Sequence, residues 1–139
     1  MSNAKTILVC PLDWGLGHAT RCIPLIHSFL AENHTVIIGT SGKQEALLKK
    51  EFPTLQFIPL EGYNVEYPKK GGLTLKILMQ LPQIKKAIRE EHQWLDKIIE
   101  EYKIDKVVSD NRYGLWSGKI ESILVTHQIF IKAKVGEWV

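Results

Sequence analysis

The feature that most constrains this chain is a join between two kinds of periodicity. Ile7-Leu8-Val9-Cys10-Pro11-Leu12 is a short apolar run suited to a buried strand, and apolar residues recur at helical spacing from about Ala19 onward. Between them lies Asp13-Trp14-Gly15-Leu16-Gly17-His18, with Arg21 just beyond. A strand, a glycine turn and a helix start therefore meet between Ile7 and Arg21. Gly15 and Gly17 allow a sharp turn and let a ligand approach the backbone closely. The helix start offers free N–H groups and positive dipole, which suit phosphate or carboxylate. A histidine and an arginine stand at that anion-favouring corner.

The rest of the chain repeats the strand–helix alternation. Cys22, Ile23, Leu25, Ile26, Phe29 and Leu30 define the first helix, with Pro24 expected within its first turns and its end near Glu32-Asn33. His34–Thr40 is rich in β-branched residues and reads as a second strand. Ser41 is placed to cap a helix over Lys43–Phe52, which Pro53 stops. Leu55–Leu60 is a third strand, and Pro59 suggests its end or an exposed sheet edge.

Glu61–Leu73 is punctuated by Gly62, Pro68, Gly71 and Gly72 and reads as a loop. A helical region follows over about Thr74–Tyr102, with Ile77, Leu78, Leu81, Ile84, Ile88, Leu95, Ile98 and Ile99 on its apolar face. Pro82 is expected to kink it or split it in two. Lys106–Asp110 and Ile120–Thr126 are two further strands, separated by a turn or short helix over Leu115–Lys119.

This order is that of an α/β fold: a Rossmann-like, doubly wound parallel sheet with helices on both faces. Residues 5–128 form that domain, and residues 129–139 read as a linker or the start of a missing C-terminal domain. In such sheets ligands bind beyond the carboxyl ends of the strands. Three polar groups fall there: Asp13–Arg21 after the first strand, Asp110-Asn111-Arg112 after the fourth, and His127-Gln128 after the fifth.

Composition removes several function classes. A formal net charge of +3 is too small to argue for nucleic acid. No apolar run reaches membrane-span length and the N-terminus lacks a signal-peptide core, so a cytoplasmic domain is expected. Cys10 and Cys22 read as small core residues, not as a disulfide framework or a metal site. Thr20 stands where the dinucleotide fingerprint needs glycine, and the Gly-Lys-Ser/Thr of a P-loop is missing. No nicotinamide, flavin or metal cofactor is expected.

His18 is the sharpest chemical candidate. The positive end of a helix suits the neutral imidazole, the form that acts as general base. Asp110 is placed to accept the other ring N–H and set the tautomer, or else to satisfy loop N–H groups. Arg21 suits either an anionic substrate group or a plain solvated place on the helix face, and Arg112 has the same ambiguity. Trp14, Trp116, Tyr63 and Tyr67 could stack on a sugar or simply pack, while His27, His34 and His92 read as structural or exposed. Lys69-Lys70-Gly71-Gly72 with Leu73, Leu75, Ile77, Leu78 and Met79 reads first as a solvated loop entering a core helix. The alternative is peripheral docking on an anionic membrane surface.

Taken together, Ile7–Arg21 with its Gly-x-Gly-His-x-x-Arg pattern, Val108–Gly114 and Val125–Gln128 resemble the N-terminal, acceptor-side domain of bacterial GT-B glycosyltransferases. The likeness is to the MurG-like and UDP-glycosyltransferase-like groups. It implies two Rossmann-like domains facing a cleft, a small-molecule or glycolipid acceptor on the first, and a nucleotide sugar, a UDP-sugar by analogy, on the absent second. It also implies inversion at the anomeric carbon without an obligatory metal. In plant members a histidine after the first strand is the base and a later aspartate orients it; His18 and Asp110 match those positions. By the same likeness Gly15, Gly17, Arg21, Asn111, Arg112, His127 and Gln128 line the substrate site. The isolated domain is expected to be inactive. Two alternatives stand beside this reading. Gly15–Cys22 also fits the Gly-x-Gly-His-x-x-Arg-Cys turn of a nucleotide-sugar hydrolase whose histidine activates water. A non-catalytic ligand-binding fragment is the other.

Overall fold

The computed structural model describes residues 4–12, 16–60, 73–110, 112 and 114–125, without the side chains of 73–80. Its element order is β1 (Thr6–Cys10), α1 (Leu16–Ala31), β2 (Thr35–Thr40), α2 (Gly42–Glu51), β3 (Gln56–Pro59), α3 (Leu73–Tyr102), β4 (Lys106–Asp110) and β5 (Glu121–Val125). The five strands form one sheet in the order β3-β2-β1-β4-β5, and every pairing is parallel.

Strand alternation explains why helices are needed on both faces. In β1, Ile7 and Val9 point into a cluster with Ala19, Cys22 and Ile26 of α1 and Leu48 of α2. Leu8 and Cys10 point the other way, into a cluster with Leu95, Ile98 and Ile99 of α3. β2 and β4 divide in the same manner, with Val36, Ile38 and Val108 on the first face and Ile37 and Val107 on the second. A strand buried on both faces has no polar side to show, hence its unbroken apolar run. Gly39 of β2 leaves the room that Cys10 and Trp94 fill: a Cβ there would lie 2.8 Å from the Cys10 Sγ. Gly114 does the same beside α3, where a Cβ would lie 2.5 Å from the Ile88 carbonyl oxygen.

The chain winds outward from β1 through β2 to β3. It then returns along α3 to place β4 on the other side of β1. The direction of winding therefore reverses between β1 and β4, which opens a crevice at their carboxyl ends. β1 ends there ahead of α1, and β4 ends there on Asp110.

Several expectations needed adjustment. α1 begins at Leu16, earlier than Ala19, so Pro24 lies beyond the first turn and removes an interior hydrogen bond. The helix ends at Ala31, and Asn33 takes the left-handed φ of 65° that asparagine tolerates after a C-terminus. Ser41 is the N-cap residue of α2 but makes no side-chain cap; its hydroxyl donates to the Leu60 carbonyl instead, at 2.9 Å. Pro82 does not split α3, which is a single helix of 30 residues. Among the described side chains of its stripe Leu95, Ile98 and Ile99 are deeply buried, and Leu81 is exposed. β3 is a sheet edge, as Pro59 suggested. The stretch Leu115–Lys119 is a turn rather than a helix. The loop expected over Glu61–Leu73 lies outside the described residues up to residue 72, as do residues 126–139. Among the described residues no helix is long and apolar enough to cross a membrane.

Candidate functional site

β1 stops at Cys10 and the chain leaves the sheet through Pro11 and Leu12, both buried. The carbonyl groups of these two residues are held from opposite sides. The Arg112 Nε donates to the Pro11 oxygen at 2.8 Å, and the Gln44 side-chain amide of α2 donates to the Leu12 oxygen. Arg112 is almost wholly buried, and its Nη1 lies 3.4 Å from the Glu91 carboxylate of α3. The Ser109 hydroxyl donates to the Arg112 carbonyl at 3.1 Å. The exit of β1 is thus tied to α2, α3 and the segment after β4.

From that anchored exit α1 starts, and its first turn presents His18. The imidazole Nδ1 lies 2.9 Å from the Asp110 Oδ2, although the two residues are 92 positions apart. Register explains the meeting: Cys10 pairs with Ser109, so β1 and β4 finish level with each other. The Asp110 side chain is 4% exposed and that of His18 15%, so the pair sits at the crevice with the imidazole on its outer side. Arg21, one helical turn beyond His18, completes the cluster. Its Nη2 lies 3.1 and 3.2 Å from the two Asp110 oxygens and 2.6 Å from the His18 Nδ1. Asp110 is therefore a buried carboxylate that faces a guanidinium.

The nearby thiols feel this environment. Burial pushes the Cys22 thiol up to about 12, the Asp110 charge adds to the rise, and Arg21 opposes it. Cys10 is likewise raised to about 12 by burial, with Arg112 opposing and Glu91 adding to the effect. Both cysteines are free and buried, in keeping with a core role. Among the described residues no group of three or more His, Cys, Asp or Glu side chains is arranged to hold a metal ion.

Of the residues singled out from sequence, the structure brings together His18, Arg21 and Asp110. Gly17 lies in the first turn of α1, and a Cβ there would meet nothing within 4 Å among the described residues. Arg112 points inward, to Pro11 and Glu91, and not into the crevice. Gly15, Asn111, His127 and Gln128 lie outside the described residues, as do Trp14, Tyr63 and Tyr67. Trp116 is exposed and packs its ring on His92, with centroids 4.7 Å apart. His27 pairs with Glu51, and the His34 Nδ1 accepts from the Lys5 N–H.

Sequence reasoning missed Glu91 and Gln44. Glu91 left a signal. The apolar stripe of α3 runs Ile84, Ile88, Leu95, Ile98, and the position one turn after Ile88 is Glu91. An acid in an apolar stripe requires a buried partner, and Arg112 is that partner. Gln44 left none, because its role depends on a carbonyl brought to it by the fold.

The chain is thus a doubly wound parallel α/β domain with a histidine–aspartate pair at its switch point. The chain belongs to Glycosyl transferase family 1, whose description matches residues 6–121. An uncharacterized glycosyltransferase of Methanosarcina acetivorans is 35% identical over 99 residues, which cover 71% of this chain and 25% of the relative. One from Methanosarcina mazei is 30% identical over 117 residues, covering 84% and 29%. The chain thus spans between a quarter and a third of the length of these curated relatives.

Solved structures agree on the fold. The glycotransferase of kitacinnamycin superposes with a TM-score of 0.66 at 15% identity, over 90% of this chain and 31% of that one. Phytolacca americana UGT2, complexed with UDP-2fluoro-glucose and pterostilbene, gives a TM-score of 0.60 at 14% identity, over 91% and 31%.

Proposed function

We propose that this chain is the acceptor-side domain of a glycosyltransferase that moves a sugar from a nucleotide-sugar donor to a hydroxyl acceptor with inversion. The observation that carries the reading is the 2.9 Å approach of the His18 Nδ1 to Asp110 at the carboxyl ends of β1 and β4. In the reactive state Nδ1–H donates to Asp110, and the lone pair of Nε2 accepts the acceptor's hydroxyl proton. The acceptor oxygen then forms its bond to the anomeric carbon as the bond to the nucleotide diphosphate breaks. The leaving diphosphate takes the electron pair, and attack from the opposite face inverts the centre. Asp110 steadies the imidazolium that results, and a base so placed contributes ~10²–10⁴-fold in rate.

Family membership supports transfer over hydrolysis. The donor class is supported by structural neighbours that hold UDP-2fluoro-glucose or UDP-L-rhamnose. On this reading the donor sits mainly on a further domain, and the acceptor is a small molecule or glycolipid. Gly17, with no described residue near its Cβ side, leaves the backbone approachable there. Arg112 serves the site indirectly, by holding the exit of β1. The sequence run Lys69–Met79 supports peripheral contact with an anionic membrane if the acceptor is lipid-linked.

The test is incubation of the full-length protein with UDP-sugars and a panel of hydroxyl acceptors. Acceptor-dependent sugar transfer is expected. Release of UDP that needs no acceptor overturns the reading in favour of a hydrolase. The His18→Ala variant should bind acceptor as before and lose ~10²-fold or more in turnover; retained turnover refutes the assignment of the base.

A further inference from the structure

The contacts around the His18 Nδ1 are over-subscribed. Nδ1, the Asp110 Oδ2 and the Arg21 Nη2 form a triangle with sides of 2.9, 3.1 and 2.6 Å. All three sides cannot be hydrogen bonds of a neutral imidazole at once. If Nδ1 carries the proton it donates to Asp110, and Arg21 then faces it donor to donor. If Nδ1 is bare it accepts from Arg21, and its lone pair then faces a carboxylate oxygen. The Arg21–Asp110 bonds are compatible with either state, so what is contested is the position of one proton.

We propose that Arg21 is a positioning residue that competes with Asp110 for the His18 Nδ1 and so sets the tautomer of the base. The guanidinium approaches Nδ1 more closely than the carboxylate does. In the resting arrangement Nδ1 is therefore the acceptor and Nε2 holds the proton, which leaves the crevice side of the ring unable to act as base. The base forms when the guanidinium turns wholly onto Asp110. That shift is small, because Nη2 already lies within 3.2 Å of both carboxylate oxygens. Arg21 has room to make it, since its side chain is 43% exposed while Asp110 is buried. The proton relocates from Nε2 to Nδ1 by exchange with solvent, and no other bond changes.

The proposal rests on the reading of His18 as the base, but its test needs no turnover, so the two can fail separately. Imidazole nitrogen-15 spectra of the 139-residue chain at about pH 9, above the ordinary imidazole range, distinguish a bare ring nitrogen from a protonated one. The wild-type chain is expected to show His18 with Nε2 protonated and Nδ1 bare. In Arg21→Met the ratio should move toward protonated Nδ1 by about tenfold or more, the equivalent of one hydrogen bond to a charged donor. His27, which pairs with Glu51, and His34, which accepts from the Lys5 N–H, serve as internal controls. A wild-type His18 already protonated at Nδ1, or an unchanged ratio in Arg21→Met, overturns the proposal.

Discussion

Replacing Glu91 with leucine should unfold this domain at a markedly lower temperature, although Glu91 is remote from the surface of the crevice. The carboxylate and the Arg112 guanidinium are 6% and 1% exposed, so the pair is held almost free of water. Removing one partner of a buried pair leaves an uncompensated charge and costs ~3–5 kcal/mol. The separation of 3.4 Å is longer than a tight charge-assisted bond, and Arg112 keeps its bond to the Pro11 carbonyl. The lower end, about 3 kcal/mol, is therefore the fitting figure. Unfolding entropy of about 2.1 cal/mol/K per residue converts that, for a chain of this length, into a fall of about 10 °C in Tm.

The assay is thermal unfolding followed by circular dichroism, with Glu91→Leu set beside Arg112→Met and the double variant. Each single change should be costly. The double change should recover more than about half of the loss, because a buried pair replaced by apolar residues is often close to neutral. If Glu91→Leu melts within about 3 °C of the wild type, or if the double variant is no better than the sum of its parts, the pair does not anchor the exit of β1 as argued.

Two further outcomes follow from the same cluster. Asp110→Asn in the full-length enzyme should lower kcat by ~10²–10⁴-fold with little change in acceptor KM, because the ring loses its carboxylate partner; an unchanged kcat refutes the orienting role. The buried thiols are raised from 9.0 to about 12, so folded protein holds their protons more firmly than unfolded chain does. Their contribution is fully present below about pH 9 and is lost as pH rises through the interval up to about 12. Cys22→Ala should therefore lose about 2 kcal/mol less stability than the wild type between pH 9 and 10.5 in urea titrations; equal losses refute the argument.

Most of the fold was legible because two signals agreed along the chain. Runs such as Ile7–Cys10 and Thr35–Thr40 are too short for helices and too apolar for loops, and each is followed by a segment with helical spacing. Boundaries were less legible, since they depend on partners. The start of α1 at Leu16 lies within a glycine-bearing stretch of weak helix formers, and only the packing of Ala19, Cys22 and Ile26 on β1 sets it. The Ser41 hydroxyl was expected to cap α2, the local option, but Leu60 offers a carbonyl from nineteen residues away.

The site divides along the same line, and the division has a physical origin. A strand end adjacent to a switch point is a property of topology, and topology follows from the order of elements. The strand order alone puts the residue after β1 beside the residue ending β4, so His18 and Asp110 could be paired from sequence in spite of their separation. What cannot be read that way is which cation each carboxylate receives. Arg21 and Arg112 were equivalent candidates for an anionic ligand, yet one reaches Asp110 and the other is drawn under the strand to Glu91. The difference lies in position on the scaffold. Arg21 follows His18 by a single helical turn, so it shares the histidine's face and arrives at the crevice with it. Arg112 lies two residues past a strand that ends level with β1, beside the Pro11 carbonyl and opposite the one acid in the stripe of α3. Burial there without that acid would be prohibitive, so the apolar stripe broken at Glu91 is the sequence counterpart of an inward-facing arginine. In this chain the glutamate that interrupts the stripe of the crossover helix, together with the arginine just past the fourth strand, is thus what separates the anchoring arginine from the one at the crevice.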